Sequence, residues 1–212
     1  MPHYFVHIHD GHDIPDETGT VCADATEART QAVIAASTNN VANVLFDAGH
    51  VDSAIVVYRQ AVAMDRELRA DRATAMTLRN LGRAFAESAV RTPAHRDTAI
   101  HHLREALALH EALGDSTDTH YGLVMEDLGW QHNVLGAADS AMHYRQAALR
   151  LLNKQTDRSR ESTLLYGIGA LYDMADRLDS AHHYFSRAAA AAGRQGDLGA
   201  QADALSRVAN IH

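Results

Sequence analysis

A short sequence that recurs along the chain constrains its fold more than any other feature. The copies lie at residues 49–54 (GHVDSA), 136–141 (GAADSA) and 176–181 (DRLDSA), with residues 97–99 (DTA) as a variant. Each copy precedes an apolar or aromatic stretch of helical spacing, which contains Tyr58, Leu103, Tyr144, or Tyr184 with Phe185. The Asp of each copy suits a helix N-terminus, because its carboxylate favours the positive end of the helix dipole. The repeat therefore predicts units of a helix, a turn and a helix. These units must stack, because one pair cannot bury its own apolar face.

Small residues recur at two fixed places in each unit. One set is Ala42, Gly82, Gly129 and Gly169 in the first helices, and the other is Ala54, Ala99, Ala141 and Ala181 in the second helices. Residues of this size let two helix backbones approach closely, while large apolar residues fill the space between them. With the pairs Leu81-Gly82 and Leu128-Gly129, and the variants Ile168-Gly169 and Val41-Ala42, the chain resembles the tetratricopeptide repeat (TPR) family in a version of about 40 residues.

The resemblance implies a mainly α fold, a right-handed α-solenoid of four helix pairs plus a C-terminal cap helix, over residues 38–212. The units are expected at about 38–69, 70–114, 117–155 and 158–196, with the cap at 198–212. We expect the cap to shield the fourth unit, with Gln201, Asp203, Arg207 and Asn210 toward water. Should the end instead be uncapped, an exposed apolar surface that includes Leu205 would favour a homodimer.

Residues 1–37 do not repeat and are predicted to form a separate, truncated module. Alternation over residues 4–9 (YFVHIH) indicates a strand, Asp10-Gly11 a turn, and residues 19–22 a return strand, which together make a β-hairpin. Residues 24–27 (DATE) have capping-box spacing and open a helix that is expected to continue into the first repeat helix. The opening MPHYFVHIHDG resembles that of a small bacterial family of unknown function, which implies no activity.

In the TPR family the first helices line a concave groove, and counting from each small residue predicts its lining. The expected partner-binding residues are Asn39, Asn43, Phe46, Arg79, Asn80, Arg83, Glu126, Trp130, Asn133, Tyr166 and Asp173. Aromatic residues and Arg are enriched at binding hot spots. The alternative is that the charges pair across neighbouring helices and Trp130 is packing. Asn43 and Asn80 match the clamp that binds chaperone C-terminal carboxylates, but Asn39, Leu123 and Asp127 stand where its basic residues belong. We therefore predict no clamp of that kind.

Other chemistry finds little support in the chain. The net charge of -8 argues against nucleic acid, and Cys22, as the single Cys, excludes an internal disulfide and a multi-Cys zinc site. His7 and His9 share a face of the predicted strand and are weak candidates for a metal site. His101, His143 and His183 recur at one position per unit and are predicted to face solvent. The sequence lacks the phosphate-loop, nucleophile-elbow and zinc-protease motifs, so we expect no enzyme activity and no cofactor.

The sequence therefore predicts a non-catalytic, cytoplasmic protein or peptide-binding scaffold without a membrane segment or nucleic-acid partner. Two alternatives stay open: a regulatory protein that senses a small ligand or signal peptide, and a His-based metal-binding protein.

Overall fold

The computed structural model describes residues 3–4, 20–21, 25–115, 119–153 and 158–211. These residues are almost entirely helical and divide into two compact units, unit 1 before Ser116 and unit 2 from Ser116 onward. The helices of unit 1 are α1 (Ala25–Asp47), α2 (Val51–Glu67), α3 (Asp71–Ser88) and α4 (His95–Ala112). The helices of unit 2 are α5 (Thr119–Val134), α6 (Ala138–Leu152), α7 (Glu161–Met174), α8 (Leu178–Gln195) and α9 (Leu198–Asn210).

Within each unit, consecutive helices pack against one another. In unit 1, α1 packs on α2, α2 on α3 and α3 on α4, and in unit 2 the same holds from α5 through α9. Within the units, α2, α6 and α8 therefore each contact both their own partner and the helix that follows, which is how stacked repeats bury the apolar face that one pair leaves open.

The small residues of the repeat lie where helices approach most closely. A Cβ added to Gly82 would lie 2.9 Å from Leu103 Cγ, and one added to Gly169 would lie 3.0 Å from Phe185 Cδ1. Ala54, Ala99, Ala141 and Ala181 are fully buried on the second helices. The close approach predicted from the repeat is thus present in both units.

The recurring Asp stands inside the first turn of each second helix. Asp52, Asp139 and Asp179 follow N-cap residues whose side chains make no capping hydrogen bond. These carboxylates therefore stabilise the helices through the dipole. Their side chains do not cap the helix as the N-cap residue would.

Of the residues before α1, the structure describes only two short strands. The described strands are β1 (His3–Tyr4) and β2 (Thr20–Val21), paired antiparallel with His3 opposite Val21. Pairing of two residues on each side does not support the predicted β-hairpin, and the rest of its residues lie outside the described part. The continuous course of α1 across residue 37 confirms that the helix opening near residue 25 continues into the first repeat helix.

The last helix packs on α8 and covers part of its apolar face. Ala204 is buried in the cluster that contains Ile168 and Ala188, and Ile211 is buried beside Phe185. Asp203, Arg207 and Asn210 are exposed and Gln201 is half-buried, while Leu198 and Leu205 are exposed as well. The cap and the homodimer both stay predictions.

Candidate functional site

The predicted groove residues fall into the two compact units. Unit 1 carries Asn39, Asn43, Phe46, Arg79, Asn80 and Arg83, and unit 2 carries Glu126, Trp130, Asn133, Tyr166 and Asp173. Each group has its own set of contacts, so each is described as a separate site.

In unit 1 the asparagines form a hydrogen-bonded group with a buried tyrosine. The Tyr58 hydroxyl donates to Asn43 Oδ1 at 2.7 Å, and Asn80 Nδ2 approaches Asn43 Oδ1 at 3.3 Å and Asn39 Oδ1 at 3.4 Å. Burial raises the pKa of Tyr58 to about 12, and the Arg83 guanidinium opposes this only in part. The hydroxyl is therefore a hydrogen-bond donor at neutral pH. We call Asn39, Asn43, Asn80 and Tyr58 the asparagine network.

Two further predicted residues of unit 1 contact each other. The Arg83 guanidinium lies over the Phe46 ring, 5.6 Å from its centroid. Arg83 is exposed and Phe46 is half-buried, as is Arg79 on the same helix as Arg83. A cation over an aromatic face stabilises both side chains in place, so this pair offers a preformed surface.

Unit 2 contains a pocket between α5, α6 and α7 with a volume of about 260 Å³. We call it the α5–α7 pocket. Its lining is Glu126, Asp127, Trp130, Asn133, Arg145, Thr163, Tyr166, Gly167 and Ala170. Four predicted groove residues, Glu126, Trp130, Asn133 and Tyr166, are thus brought together around one cavity, whereas Asp173 does not line it.

The side chain that distinguishes this pocket is Arg145, on α6. It is 5% exposed, and its Nε atom is buried with no hydrogen-bond partner among the residues that the structure describes. The guanidinium Cζ lies 5.8 Å from the centroid of the Trp130 ring. Loss of solvation on burial lowers the pKa of Arg145 from its ordinary value, although an Arg remains charged under any physiological condition.

Space for the guanidinium comes from a glycine on α7. A Cβ at Gly167 would lie 1.4 Å from Arg145 Nη1 and 2.5 Å from its Cζ, so no larger residue fits while Arg145 keeps this position. Gly129 likewise accommodates the aliphatic stem of Arg145, since a Cβ there would lie 2.9 Å from Arg145 Cγ. Two glycines on two helices therefore enclose one arginine.

The other charges around the pocket are paired among themselves. Glu126 forms an ion pair with Arg160. Arg207 Nε donates to the Tyr166 hydroxyl at 3.1 Å, and Arg207 Nη1 lies 3.9 Å from Asp173 Oδ2. The expectation that some groove charges pair across helices is thus met for Glu126 and Asp173. Trp130, in contrast, is 56% exposed and is not simple packing.

The predicted metal candidates His7 and His9 lie outside the described residues. Within the described part, His101, His102 and Glu105 on α4 are close enough together to be considered as metal ligands. Glu105 is, however, ion-paired with Arg66, and burial lowers the pKa of His102 while Arg59 and Arg66 lie nearby. Neighbouring cations disfavour a bound metal ion there. His101, His143 and His183 are exposed as predicted.

Sequence reasoning missed Arg145 because it considered only the first helices as pocket lining. Four residues after the second-helix Ala, the other units carry Tyr58, Leu103 and Phe185, all buried. The third unit carries Arg145 at that place, and the half-buried Tyr144, which looked equivalent in the sequence, lies one position earlier. We call these four equivalent positions the column. A charged residue in an otherwise uncharged column was the signal in the sequence that could have identified Arg145.

Comparison with known structures identifies the class of fold. BtubC (BKLC) from P. vanneervenii superposes with a TM-score of 0.69 at 19% identity, covering 78% of this chain and 66% of that one. The kinesin light chain TPR-like repeats of Podosopora anserina give 0.66 at 15% identity, covering 82% and 83%. Aspartyl phosphate phosphatase F from Bacillus subtilis gives 0.72 at 16% identity, covering 80% and 43%. The chain is therefore similar to TPR-like repeat proteins, and it spans less than half of the phosphatase.

The N-terminal part has a separate likeness. Residues 3–39 match a family model described as Domain of unknown function (DUF6894), which fits the resemblance of the opening residues to a family without assigned activity. No curated protein sequence matches the chain. No helix in the described part of the chain is both long and apolar enough to cross a membrane.

Proposed function

We propose that the chain is a non-catalytic scaffold that binds a protein or peptide segment, with the α5–α7 pocket as its principal docking point. The observation that supports this most is Trp130, a large aromatic side chain left more than half exposed beside a pocket with a buried cation. Pockets with an aromatic wall and a few polar groups are typical of binding sites, and Trp and Arg are the residues that dominate binding energy. The TPR-like fold is compatible with this role but does not by itself specify it.

The first unit would supply a secondary surface. The Arg83 guanidinium over Phe46 presents positive charge on α3. The asparagine network behind it is satisfied internally, so it would hold these side chains in position rather than bind the partner directly.

Selection of peptides from a display library against the full chain tests the proposal. Trp130→Ala is expected to weaken the selected peptides by about 30-fold, the effect of a hot spot of about 2 kcal/mol. The matched control is Met174→Ala, another exposed apolar residue of unit 2 outside the pocket. Arg79→Glu is the corresponding variant for unit 1, and weaker binding of the selected peptides would show that unit 1 contributes to docking. Equal binding by wild type, Trp130→Ala and Met174→Ala would rule out the pocket as the docking point.

A regulatory protein that senses a small ligand or signal peptide is the second candidate. The volume of the α5–α7 pocket, about 260 Å³, favours this candidate, since a cavity of this size accommodates a small molecule rather than a folded partner. It predicts that a small compound raises the unfolding temperature of the chain while no protein partner is recovered.

A further inference from the structure

The strongest unexplained feature of the molecule is the buried cation of the α5–α7 pocket. Arg145 is nineteen-twentieths buried, its Nε lacks a protein partner, and no ion pair among the described residues includes it. The two acidic side chains that line the same pocket do not neutralise it. Glu126 is ion-paired with Arg160, and Asp127 likewise has an interaction of its own.

Burial of this kind is unfavourable for the fold on its own. An arginine cannot lose its proton to escape the cost of desolvation, and a buried charge without a counter-ion destabilises the folded state. In the other repeats the equivalent position carries an uncharged side chain, which is Tyr58, Leu103 or Phe185. Groups that break the packing rule of their own fold are typical of functional sites.

The surroundings of Arg145 indicate the chemistry of the missing counter-ion. Its planar guanidinium matches a carboxylate or phosphate in a two-bond geometry. One guanidinium offers a single positive charge in a pocket that also contains Glu126 and Asp127, so one carboxylate balances it and a more highly charged anion would exceed it. The Trp130 ring offers an apolar face next to the cation. A single carboxylate beside an apolar side chain fits all three conditions.

We infer that the α5–α7 pocket binds one carboxylate group of a peptide ligand, with Arg145 as the anion-binding residue and Trp130 as the wall that contacts the neighbouring apolar side chain. This inference rests on the proposed binding function and specifies its ligand chemistry. The site differs from the chaperone-tail clamp considered above, because Arg145 lies on the second helix of its unit, not on the first helices that carry that clamp.

The chain provides its own reporter for a test. Trp130 is the single tryptophan of the sequence and lines the pocket, so fluorescence excited at wavelengths that tyrosine does not absorb reports on this site alone. N-acetyl-leucine serves as the probe, because it combines one carboxylate with one apolar side chain. N-acetyl-leucinamide is the neutral probe of the same shape, inorganic phosphate is the competing anion, and sodium chloride at matched ionic strength controls for screening.

For the wild type we expect a saturable fluorescence change with N-acetyl-leucine and none with the amide, phosphate or sodium chloride. Arg145→Leu, which installs the residue found at Leu103, is expected to weaken the probe at least about tenfold. The same variant should raise the unfolding temperature, because an apolar residue replaces an unpaired buried charge. Arg145→Lys keeps the charge but not the planar fork, so intermediate binding is expected.

Two matched variants separate a binding role from a structural one. Arg150→Leu removes an exposed charge from the same helix and should leave the fluorescence response unchanged. Gly167→Ala places a Cβ against the guanidinium, so it should weaken the probe while Arg145 is still present. It also serves as the second test should Arg145→Leu fail to fold.

Three results would overturn the inference. They are an equal response to the acid and its amide, a response to phosphate without one to N-acetyl-leucine, and binding that Arg145→Leu and Gly167→Ala leave unaltered. Should the probe fail while display-selected peptides still depend on Trp130, the carboxylate assignment falls and the scaffold function stands. Should the probe bind while no peptide is selected, the carboxylate site stands and the scaffold function falls.

Discussion

The two units have the same helix packing but differ in how they accommodate a buried polar group. In unit 1 the large residues four positions after the second-helix Ala are Tyr58 and Leu103. The one polar atom of their side chains, the Tyr58 hydroxyl, donates to Asn43. In unit 2 the same column holds Arg145 and Phe185, and the guanidinium Nε of Arg145 has no partner. One unit satisfies its buried polar group, and the other leaves a charge facing a pocket.

The difference shows where function can be placed in a repeat fold. A first-helix glycine against a second-helix large residue is a packing device that works with Leu103, Arg145 or Phe185. The stem of Arg145 packs against Gly129 as Leu103 packs against Gly82, so the backbone geometry is kept while the end of the side chain changes chemistry. Stability from the neighbouring pairs permits one unit to carry an unfavourable group.

Placing a charge in the column of unit 1 tests this comparison most severely. Leu103 is fully buried on α4 against Gly82, and Leu103→Arg would put a guanidinium into this closely packed space. We expect it to lower the free energy of unfolding by about 4 kcal/mol or more, measured by chemical denaturation followed by circular dichroism. Ala108→Arg, at an exposed position of the same helix, should change it by less than about 0.5 kcal/mol. A cost below about 1 kcal/mol for Leu103→Arg would mean that the column tolerates charge, and Arg145 would need no ligand to account for it.

The repeat itself was predictable, because it depends on spacings that one sequence displays. The positions of Gly82, Gly129 and Gly169 indicated where helices approach. Counting from them selected groove residues of which Glu126, Trp130, Asn133 and Tyr166 line the α5–α7 pocket. Asp173 was counted in the same way and does not line the cavity. Its position at the C-terminal end of α7 brings it to Arg207 instead.

The part of the site that escaped prediction depends on how helices meet rather than on periodicity. The Arg145 guanidinium lies over Gly167 because of the way α6 packs against α7. Counting positions along one helix cannot predict this packing. The asparagine network likewise joins α1, α2 and α3 through Asn43, Tyr58 and Asn80. The predicted β-hairpin is not supported, since alternation over a few residues does not by itself secure a partner strand.

A smaller effect is expected from the satisfied polar group of unit 1. Tyr58→Phe removes the donor to Asn43 without creating a large cavity, so it should lower the free energy of unfolding by about 1 kcal/mol. A double-mutant cycle with Asn43→Ala should show that the two changes are not additive. Tyr144→Phe, which alters a half-buried tyrosine stacked on His132 in unit 2, is the matched control. Additive effects of Tyr58→Phe and Asn43→Ala would show that the network contributes no coupling, and the contrast with the pocket of unit 2 would weaken.

The smallest expected effect concerns a buried carboxyl group of unit 1 that is hydrogen-bonded but not ion-paired. Asp65 accepts from Thr77 Oγ1 at 2.8 Å, and burial raises the pKa of Asp65 above its ordinary value of 3.8, with the hydrogen bond opposing the shift. The protonated form is therefore favoured by folding. The stability that this preference adds is present at low pH and is lost as pH rises through the raised pKa of the folded state. Asp65→Asn keeps an oxygen acceptor for Thr77 without the charge, so its stability relative to wild type should be greater at about pH 7 than at about pH 4 in chemical denaturation.

Asp97→Asn, which alters an exposed carboxylate in the first turn of α4, should instead cost a few tenths of a kcal/mol, about the value of one favourable dipole contact, at neutral pH. A stability difference between Asp65→Asn and wild type that does not vary with pH would show that unit 1 tolerates a buried carboxylate as readily as water does. The buried carboxyl of Asp65 could then no longer be contrasted with the buried guanidinium of Arg145 as a group whose charge the fold disfavours.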